Sequence, residues 1–268
     1  MTDYILRVTL FLAFVLPLIA WQVLRPKKKL VHWKQRWIEN LSLLAINMML
    51  LKLIQPLLLS LIAYTSSKYG LLNLLPLPIW ASILLSLLLL DLAIYWQHNL
   101  SHRIHWIWRL HRIHHSDSEL DVSSAVRFHP IEIVLSLVYK SIIVVTLGIP
   151  AVAILIFDVL LNASAMFNHS NVSLPKKIER VLRLFIITPE MHRIHHSRIN
   201  KETNSNYGFF LSIWDKIFNS YTDKASLGDN NINIGMPKTK KYRPNGVLSL
   251  LLMPLFKPIT FQNKQNTE

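Results

Sequence analysis

The sequence predicts an all-α fold: a polytopic membrane helical bundle carrying a cytoplasmic, histidine-rich di-metal cap. Three observations predict it. Of the 268 residues, 51% are hydrophobic and the mean hydropathy is +0.32, with several apolar runs long enough to cross a bilayer. Basic residues sit beside those runs. Eight of the 12 histidines fall into three short clusters, His98/His102, His111/His114/His115 and His192/His195/His196, at spacings that a helix gathers on one face.

Taken in order, residues 4–24 form the first apolar run, which at ~1.5 Å per residue is long enough to span. It lacks the basic start and small-residue cleavage site of a signal peptide, so it is expected to be retained. Arg25, Lys27, Lys28, Lys29, Lys34 and Arg36 follow it, and the positive-inside rule places that loop in the cytoplasm. A second run covers 38–64, interrupted by Lys52 and Pro56, and a third covers 79–97. The run at 131–167 breaks at Gly148-Ile149-Pro150 and reads as a helical hairpin. Alternate threading leaves residues 98–129, His169 and residues 192–196 together on the cytoplasmic side. Lys176, Lys177, Arg180 and Arg183 then face anionic headgroups. After Ser220 the chain turns polar, and the apolar stretch 247–256 is too short to span and reads as interfacial. Three regions result: 1–78, N-terminal transmembrane helices and a basic loop; 79–222, a catalytic domain; and 223–268, a polar cytoplasmic tail with the interfacial stretch.

Composition excludes several chemistries. There is no cysteine, so thiolate ligation, Fe–S clusters, cysteine nucleophiles and disulfides are ruled out. The net charge of +14 does not indicate nucleic acid, because the charges flank spans and no nucleic-acid fold motif accompanies them. Absence of H-E-x-x-H argues against a zinc protease. No internal repeat is found; the duplicated His-Arg-Ile-His-His at 111–115 and 192–196 sits in unrelated surroundings.

Three histidine clusters supply more nitrogen than one four-coordinate ion uses, which points to two metal ions close together. Imidazole suits iron, zinc, copper and nickel alike. Asp91, Tyr95, His98 and His102 follow one side of the third span. Asp91 then either orients a metal-binding histidine or is a packing carboxylate satisfied by a hydroxyl or water; Asp158, eleven residues before His169, has the same two readings. His169 sits where the hairpin re-enters the cytoplasm and is a candidate ligand. His129, preceding Pro130, is a candidate ligand or a hydrogen-bonding partner of one. Glu132 and Glu190 are candidate carboxylate partners or proton carriers, with plain surface charge the alternative reading, and Glu132 and Asp91 are also candidate ligands. His32 and His105 are assigned no metal role.

In order and interval, the boxes His98-Asn-Leu-Ser-His102, Trp108-Arg-Leu-His111-Arg-Ile-His114-His115-Ser-Asp117, Arg127-Phe-His129-Pro-Ile-Glu132, Asn168-His169-Ser-Asn171, Thr188-Pro-Glu-Met-His192-Arg-Ile-His195-His196 and Asn206-Tyr-Gly-Phe-Phe-Leu-Ser-Ile-Trp-Asp215-Lys-Ile-Phe218 resemble the fatty acid hydroxylase/sterol desaturase superfamily of integral membrane di-iron oxygenases. The resemblance runs from about residue 90 to 221. One departure is Asn219-Ser220, where many relatives have Gly-Thr. The resemblance implies O2-dependent hydroxylation or desaturation of a lipid C–H bond, in a sterol, fatty acyl or related chain. It implies two iron ions, with zinc a possible substitute, held by His98, His102, His111, His114, His115, His169, His192, His195 and His196, with His129 a further candidate. No fused cytochrome b5 is present in this sequence, so electrons are expected from a separate donor, cytochrome b5-like, a ferredoxin or a reductase. Trp96, Trp106 and Trp108 are expected at the interface. The alternatives are a membrane di-zinc metallohydrolase, in which a bridging hydroxide attacks an ester, and a metal-handling membrane protein, which predicts ligands at mid-membrane depth.

Overall fold

The computed structural model describes residues 2–236 and 246–256, with side chains omitted at 2–8, 10 and 56–69. The helices are α1 (Thr2–Leu24), α2 (Trp33–Tyr69), α3 (Ile79–Arg103), α4 (His105–His115), α5 (Pro130–Leu147), α6 (Ala151–His169), α7 (Lys176–Leu182), α8 (Pro189–His195), α9 (Asn200–Thr203), α10 (Ile213–Ile217) and α11 (Val247–Leu252). Among the described residues the only β pairing is two isolated bridges.

Four helical segments are long and apolar enough to cross a membrane: Trp33–Gln55, Ile79–Arg103, Pro130–Leu147 and Ala151–His169. The shortest has 18 residues, about 27 Å at ~1.5 Å per residue, close to the ~30 Å hydrocarbon core. Only 17–33% of each apolar window is buried within the protein, leaving a large apolar surface of the kind that lipid covers. The described apolar part of α1, Phe11–Leu24, is shorter than these spans.

The bundle is threaded so that one end of every long helix meets the same cap. Helices α2 and α5 begin there, and α1, α3 and α6 finish there. Gln22 near the end of α1 accepts from the Val122 and Asn171 amides at 3.2 and 3.3 Å. At the opposite end α5 stops at Gly148, whose φ of 71° is left-handed and favours glycine. Gly70, after α2, packs so closely there that a Cβ on it would stand 2.1 Å from the Gly148 Cα. Proline opens α5 and α8: His129 Nδ1 accepts from the Ile131 amide at 3.1 Å, and Thr188 Oγ1 accepts from the Met191 amide at 3.3 Å.

A buried ionic network ties the start of α2 to the loop after α4. The Arg36 guanidinium donates to both Asp117 carboxylate oxygens, to Asp121 Oδ2 at 2.7 Å and to Ser124 Oγ at 2.9 Å. Arg127 donates to Glu39 Oε2 at 3.1 Å, to Asn40 Oδ1 at 2.8 Å and to the Ile113 carbonyl at 3.1 Å. Burial alone would raise the Asp117 carboxyl; hydrogen bonding and charge from Arg36 outweigh it and hold that group at about 2. Lys27 pairs with Asp229. Lys27 and Arg36, two of the six basic residues that signal orientation in the sequence, thus also form ion pairs with the cap.

The described part of the tail is more ordered than a polar tail implies. Residues 247–256 form α11 and a 3-10 turn that buries Leu250 and Met253 against Leu43, Ile113 and Met236. Arg112 donates to the Met253 and Phe256 carbonyls. Leu248, Leu255 and Phe256 on the other side are exposed, as an interfacial segment requires. Residues 237–245 and 257–268 of the expected tail lie outside the described residues.

Arg36→Ala leaves Asp117 and Asp121 buried without their counter-ion, an arrangement that costs roughly 3–5 kcal/mol. Thermal unfolding of the detergent-solubilised variant should show a clearly lowered midpoint; a midpoint equal to wild type would contradict the network's role.

Candidate metal centre

Four elements converge on the cap. The last two turns of α3 bring His98 and His102, α4 brings His111, His114 and His115, α6 ends on His169, and α8 with its C-cap brings His192, His195 and His196. The nine form two groups, His98/His102/His111/His115/His195 and His114/His169/His192/His196, within each of which the candidate ligating atoms lie within 4.8 Å of one another.

The two His-Arg-Ile-His-His boxes cross over. The α4 box gives its i, i+4 pair, His111 and His115, to the first group and His114 to the second. The α8 box does the reverse, giving His192 and His196 to the second group and His195 to the first. A residue three positions along a helix is rotated by about 60° from the first while its axial neighbour at i+4 lies ~40° to the other side. Each helix therefore serves two adjacent points, and two such helices facing one another serve the same two.

Four of the outer ring nitrogens are anchored, whereas Nδ1 of His114, His192 and His196 is buried without a partner. His98 Nδ1 meets the Tyr207 carbonyl at 2.7 Å, His195 Nδ1 the Ser205 carbonyl at 2.7 Å, His169 Nδ1 the Ala165 carbonyl at 2.6 Å and His111 Nδ1 the Glu132 carboxylate at 2.6 Å. Carbonyl oxygens only accept, so these rings carry their proton on Nδ1 and turn an Nε2 lone pair inward. That is how proteins orient metal-binding imidazoles.

The inward atoms fit metal ions. In the first group all five Nε2 atoms are buried without a hydrogen-bond partner. In the second, His169 Nε2 stands 3.0 Å from both His114 Nε2 and His192 Nε2, and His192 Nε2 stands 3.2 Å from His196 Nε2. With its proton on Nδ1, His169 has only a lone pair to present to two neighbours. His114, His192 and His196 leave Nδ1 buried without a partner, so their Nε2 atoms are free to carry the protons that a cation bound between these rings would displace. Burial pushes the imidazoles of His114, His115, His192 and His196 well below their ordinary 6.5, and that of His195 to about 3. Neutral rings are the form that binds metal.

The other sequence candidates lie elsewhere. His129 belongs to neither group: its Nδ1 caps α5 and its Nε2 meets the Leu251 carbonyl at 3.2 Å. Glu132 acts on His111 as described. Among the described residues Asp91 hydrogen-bonds no histidine; its Oδ2 accepts from the Trp214 indole at 2.8 Å and the Leu211 amide at 3.1 Å. Asp158 pairs with Lys140 at 2.7 Å. Trp108 is buried with its ring 4.9 Å from His102, whereas Trp96 and Trp106 are exposed.

Sequence reasoning passed over Tyr207, Ser205 and Ala165, because they act through backbone carbonyls that no side-chain pattern reveals. Tyr207 also lays its ring 5.2 Å from His102 and 5.7 Å from both His98 and His195. Burial raises its phenol to about 12. Asp215 holds this segment by accepting from the Tyr207 and Gly208 amides at 2.8 and 2.9 Å. Burial lifts the Asp215 carboxyl to about 6 against those bonds. Asn219 has a φ of 56°, a left-handed position that asparagine tolerates where a glycine would otherwise serve.

A sequence model of the fatty acid hydroxylase family matches residues 83–220. Among curated proteins, an ornithine lipid hydroxylase of Rhizobium tropici is 30% identical over 157 residues, 59% of this chain and 46% of its own length. The alkylglycerol monooxygenase of Homo sapiens is 31% identical over 134 residues, 49% of this chain and 28% of its own. Cholesterol 25-hydroxylase of Rattus norvegicus is 28% identical over 138 residues, 50% of this chain and 45% of its own. The chain thus spans less than half the length of each of these relatives. No solved structure matches it.

Glu132→Ala should weaken metal retention about 10–100-fold, the usual effect of removing a carboxylate behind a metal-binding histidine; competition with a chelator measures it, and undiminished retention would refute the role. A histidine kept neutral by burial binds fewer protons folded than unfolded. Its stabilising share is complete above the unfolded value of 6.5 and declines as pH falls toward the folded value, about 3 for His195. The unfolding midpoint of the metal-free protein should therefore drop steadily below pH 6.5, which differential scanning calorimetry across a pH series will test.

Proposed function

The chain belongs to the fatty acid hydroxylase family, and from that premise we propose that it is an integral membrane enzyme that hydroxylates an unactivated C–H bond of a lipid. It uses O2, two iron ions and electrons from a separate donor, cytochrome b5-like, a ferredoxin or a reductase. The single observation that carries this reading is the pair of adjoining all-imidazole groups, one with five inward nitrogens that lack any partner and the other with inward nitrogens that meet only each other. When bound, the iron pair supplies the site where O2 is reduced and the oxidising power for C–H cleavage. Zinc fits the nitrogen donors equally well but has no redox chemistry, and the relatives' names, hydroxylase and monooxygenase, require an oxidant. Those names also favour hydroxylation over desaturation.

Each residue's part follows from its surroundings. His98, His102, His111, His115 and His195 hold one ion and His114, His169, His192 and His196 the other. Glu132 keeps His111 turned inward, and the Tyr207, Ser205 and Ala165 carbonyls do the same for His98, His195 and His169. All but His102 are buried, which keeps bulk water from the reacting atoms. An apolar cleft of about 340 Å³ between α1 and α6, lined by Phe14, Leu18, Leu160, Phe167, Ile187 and Phe210, opens beside this cap. Phe167 stands two residues from His169, and Phe209, next to Phe210, has its ring 5.1 Å from His98. Such a cleft suits a lipid tail already dissolved in the bilayer. The basic residues between α1 and α2 favour a cytoplasmic cap.

Metal analysis after anaerobic purification should find two irons per chain, and lipid profiling of cells with and without the protein should find a lipid gaining one oxygen atom. Stoichiometric zinc with oxygen-independent hydrolysis would overturn the reading. His195→Ala and His114→Ala, one from each group, should each lower iron content by about one equivalent and abolish turnover while membrane insertion persists. Full iron and turnover in both variants would refute the two-ion assignment.

A further inference from the structure

A line of oxidisable rings leads away from the first histidine group. Tyr207 lies against His98, His102 and His195. Its ring centroid is 6.3 Å from that of Tyr95, which stands 5.6 Å from Trp96. Phe218 stacks on Tyr95 at 5.3 Å and tilts against Trp96 at 4.9 Å, filling the gap between them. Tyr95 and Tyr207 are 1% and 2% exposed, whereas Trp96 is 36% exposed. The line therefore begins in a sealed interior and ends at the protein surface.

Tyr95 also has a route for its proton. Its hydroxyl is 2.8 Å from Ser220 Oγ, and Ser220 in turn donates to Asp215 Oδ1 at 2.6 Å. Ser220 has one hydroxyl proton, committed to Asp215, so Tyr95 is the donor in its own bond. A phenol loses an electron readily only if its proton has somewhere to go. Here a carboxylate waits one hydroxyl away.

We propose that Tyr207, Tyr95 and Trp96 form a one-electron escape path that drains oxidising equivalents from the His98/His102/His111/His115/His195 group to the surface when no lipid C–H bond is in place. The path rests on the oxygenase reading, which supplies the oxidant. An electron leaves Tyr95 for the oxidising centre across Tyr207, while the Tyr95 proton passes to Ser220 and the Ser220 proton to Asp215. Trp96 then returns an electron to Tyr95, the protons move back, and a one-electron reductant at the surface restores Trp96. Net, one electron moves from that reductant to the centre and no bond is lost. Direction follows from potential: phenols and indoles yield electrons only to strong oxidants, so the path stays silent while an ordinary carrier reduces the metals.

Two arms test it. In the metal-free protein in nanodiscs, azide radicals oxidise tryptophan, and transient absorbance should reveal an intramolecular tryptophan-to-tyrosine transfer phase. Trp96→Phe and Tyr95→Phe should each abolish that phase. Ser220→Ala, which keeps both rings and cuts the proton route, should slow it about tenfold. In iron-loaded protein exposed to O2 and reductant without lipid, peptide mass mapping should find oxidation concentrated at Trp96 and suppressed by ascorbate. Tyr95→Phe should move it to the histidine-bearing peptides. A phase unchanged in both ring variants, or oxidation spread over the tryptophans by exposure alone, overturns the path while leaving the oxygenase reading intact. A normal phase with no oxygen-dependent oxidation in the wild type overturns the escape role by removing its oxidant, and counts against the oxygenase reading itself.

Discussion

Nine imidazoles must be kept neutral, out of water and aimed at two adjacent points, and the rest of the structure answers to that demand. Burial makes the rings neutral by penalising their charged form. The same burial leaves the inward nitrogens of the first group without a partner and those of the second with only one another. An interior of unpartnered lone pairs is unfavourable by itself, so the surrounding protein has to hold the rings together against their own desolvation.

The holding is divided between charge and backbone. Arg36 clamps α2 to the segment 117–124, directly after the α4 histidines, and Arg127 ties α2 to the end of α4 through Asn40 and the Ile113 carbonyl. The loop 205–208 presents the Ser205 and Tyr207 carbonyls to His195 and His98, and Asp215 pins that loop through two amides. Asp91 reaches from inside α3 to the stretch that follows this loop, through the Leu211 amide and the Trp214 indole. A carboxylate placed within a span is expensive unless its partners are fixed; here it joins α3 to residues 211–214, the stretch that also carries Asp215 into the loop. Asp91, Asp215 and Ser220 thus belong to one framework, and the escape path follows its Tyr95 edge.

Much of the membrane layout was legible in advance because hydropathy is local. Each span is a largely apolar run, and Gly148-Ile149-Pro150 carries its turn in its own backbone preferences. The histidine boxes were legible for a similar reason, since helical spacing is a property of the chain itself. The segment 247–256 was legible only in part. Its length ruled out a span, yet nothing local shows Arg112 reaching its carbonyls or Leu250 filling the space beside Ile113.

From the sequence alone came the helical class, the shared side of the clusters, a thiolate-free donor set of nitrogen and oxygen, and the expectation of two ions. Tertiary structure decided how the nine histidines divide, including the exchange between the α4 and α8 boxes. It also decided that Glu132 supports His111, that His129 caps a helix, and that Asp91 serves a loop and not a ring. Those outcomes depend on which residues meet across the chain at hydrogen-bond distance, and on backbone carbonyls that every residue possesses. Spacing along one helix records direction around its axis, whereas a shared metal point exists only where several helices cross.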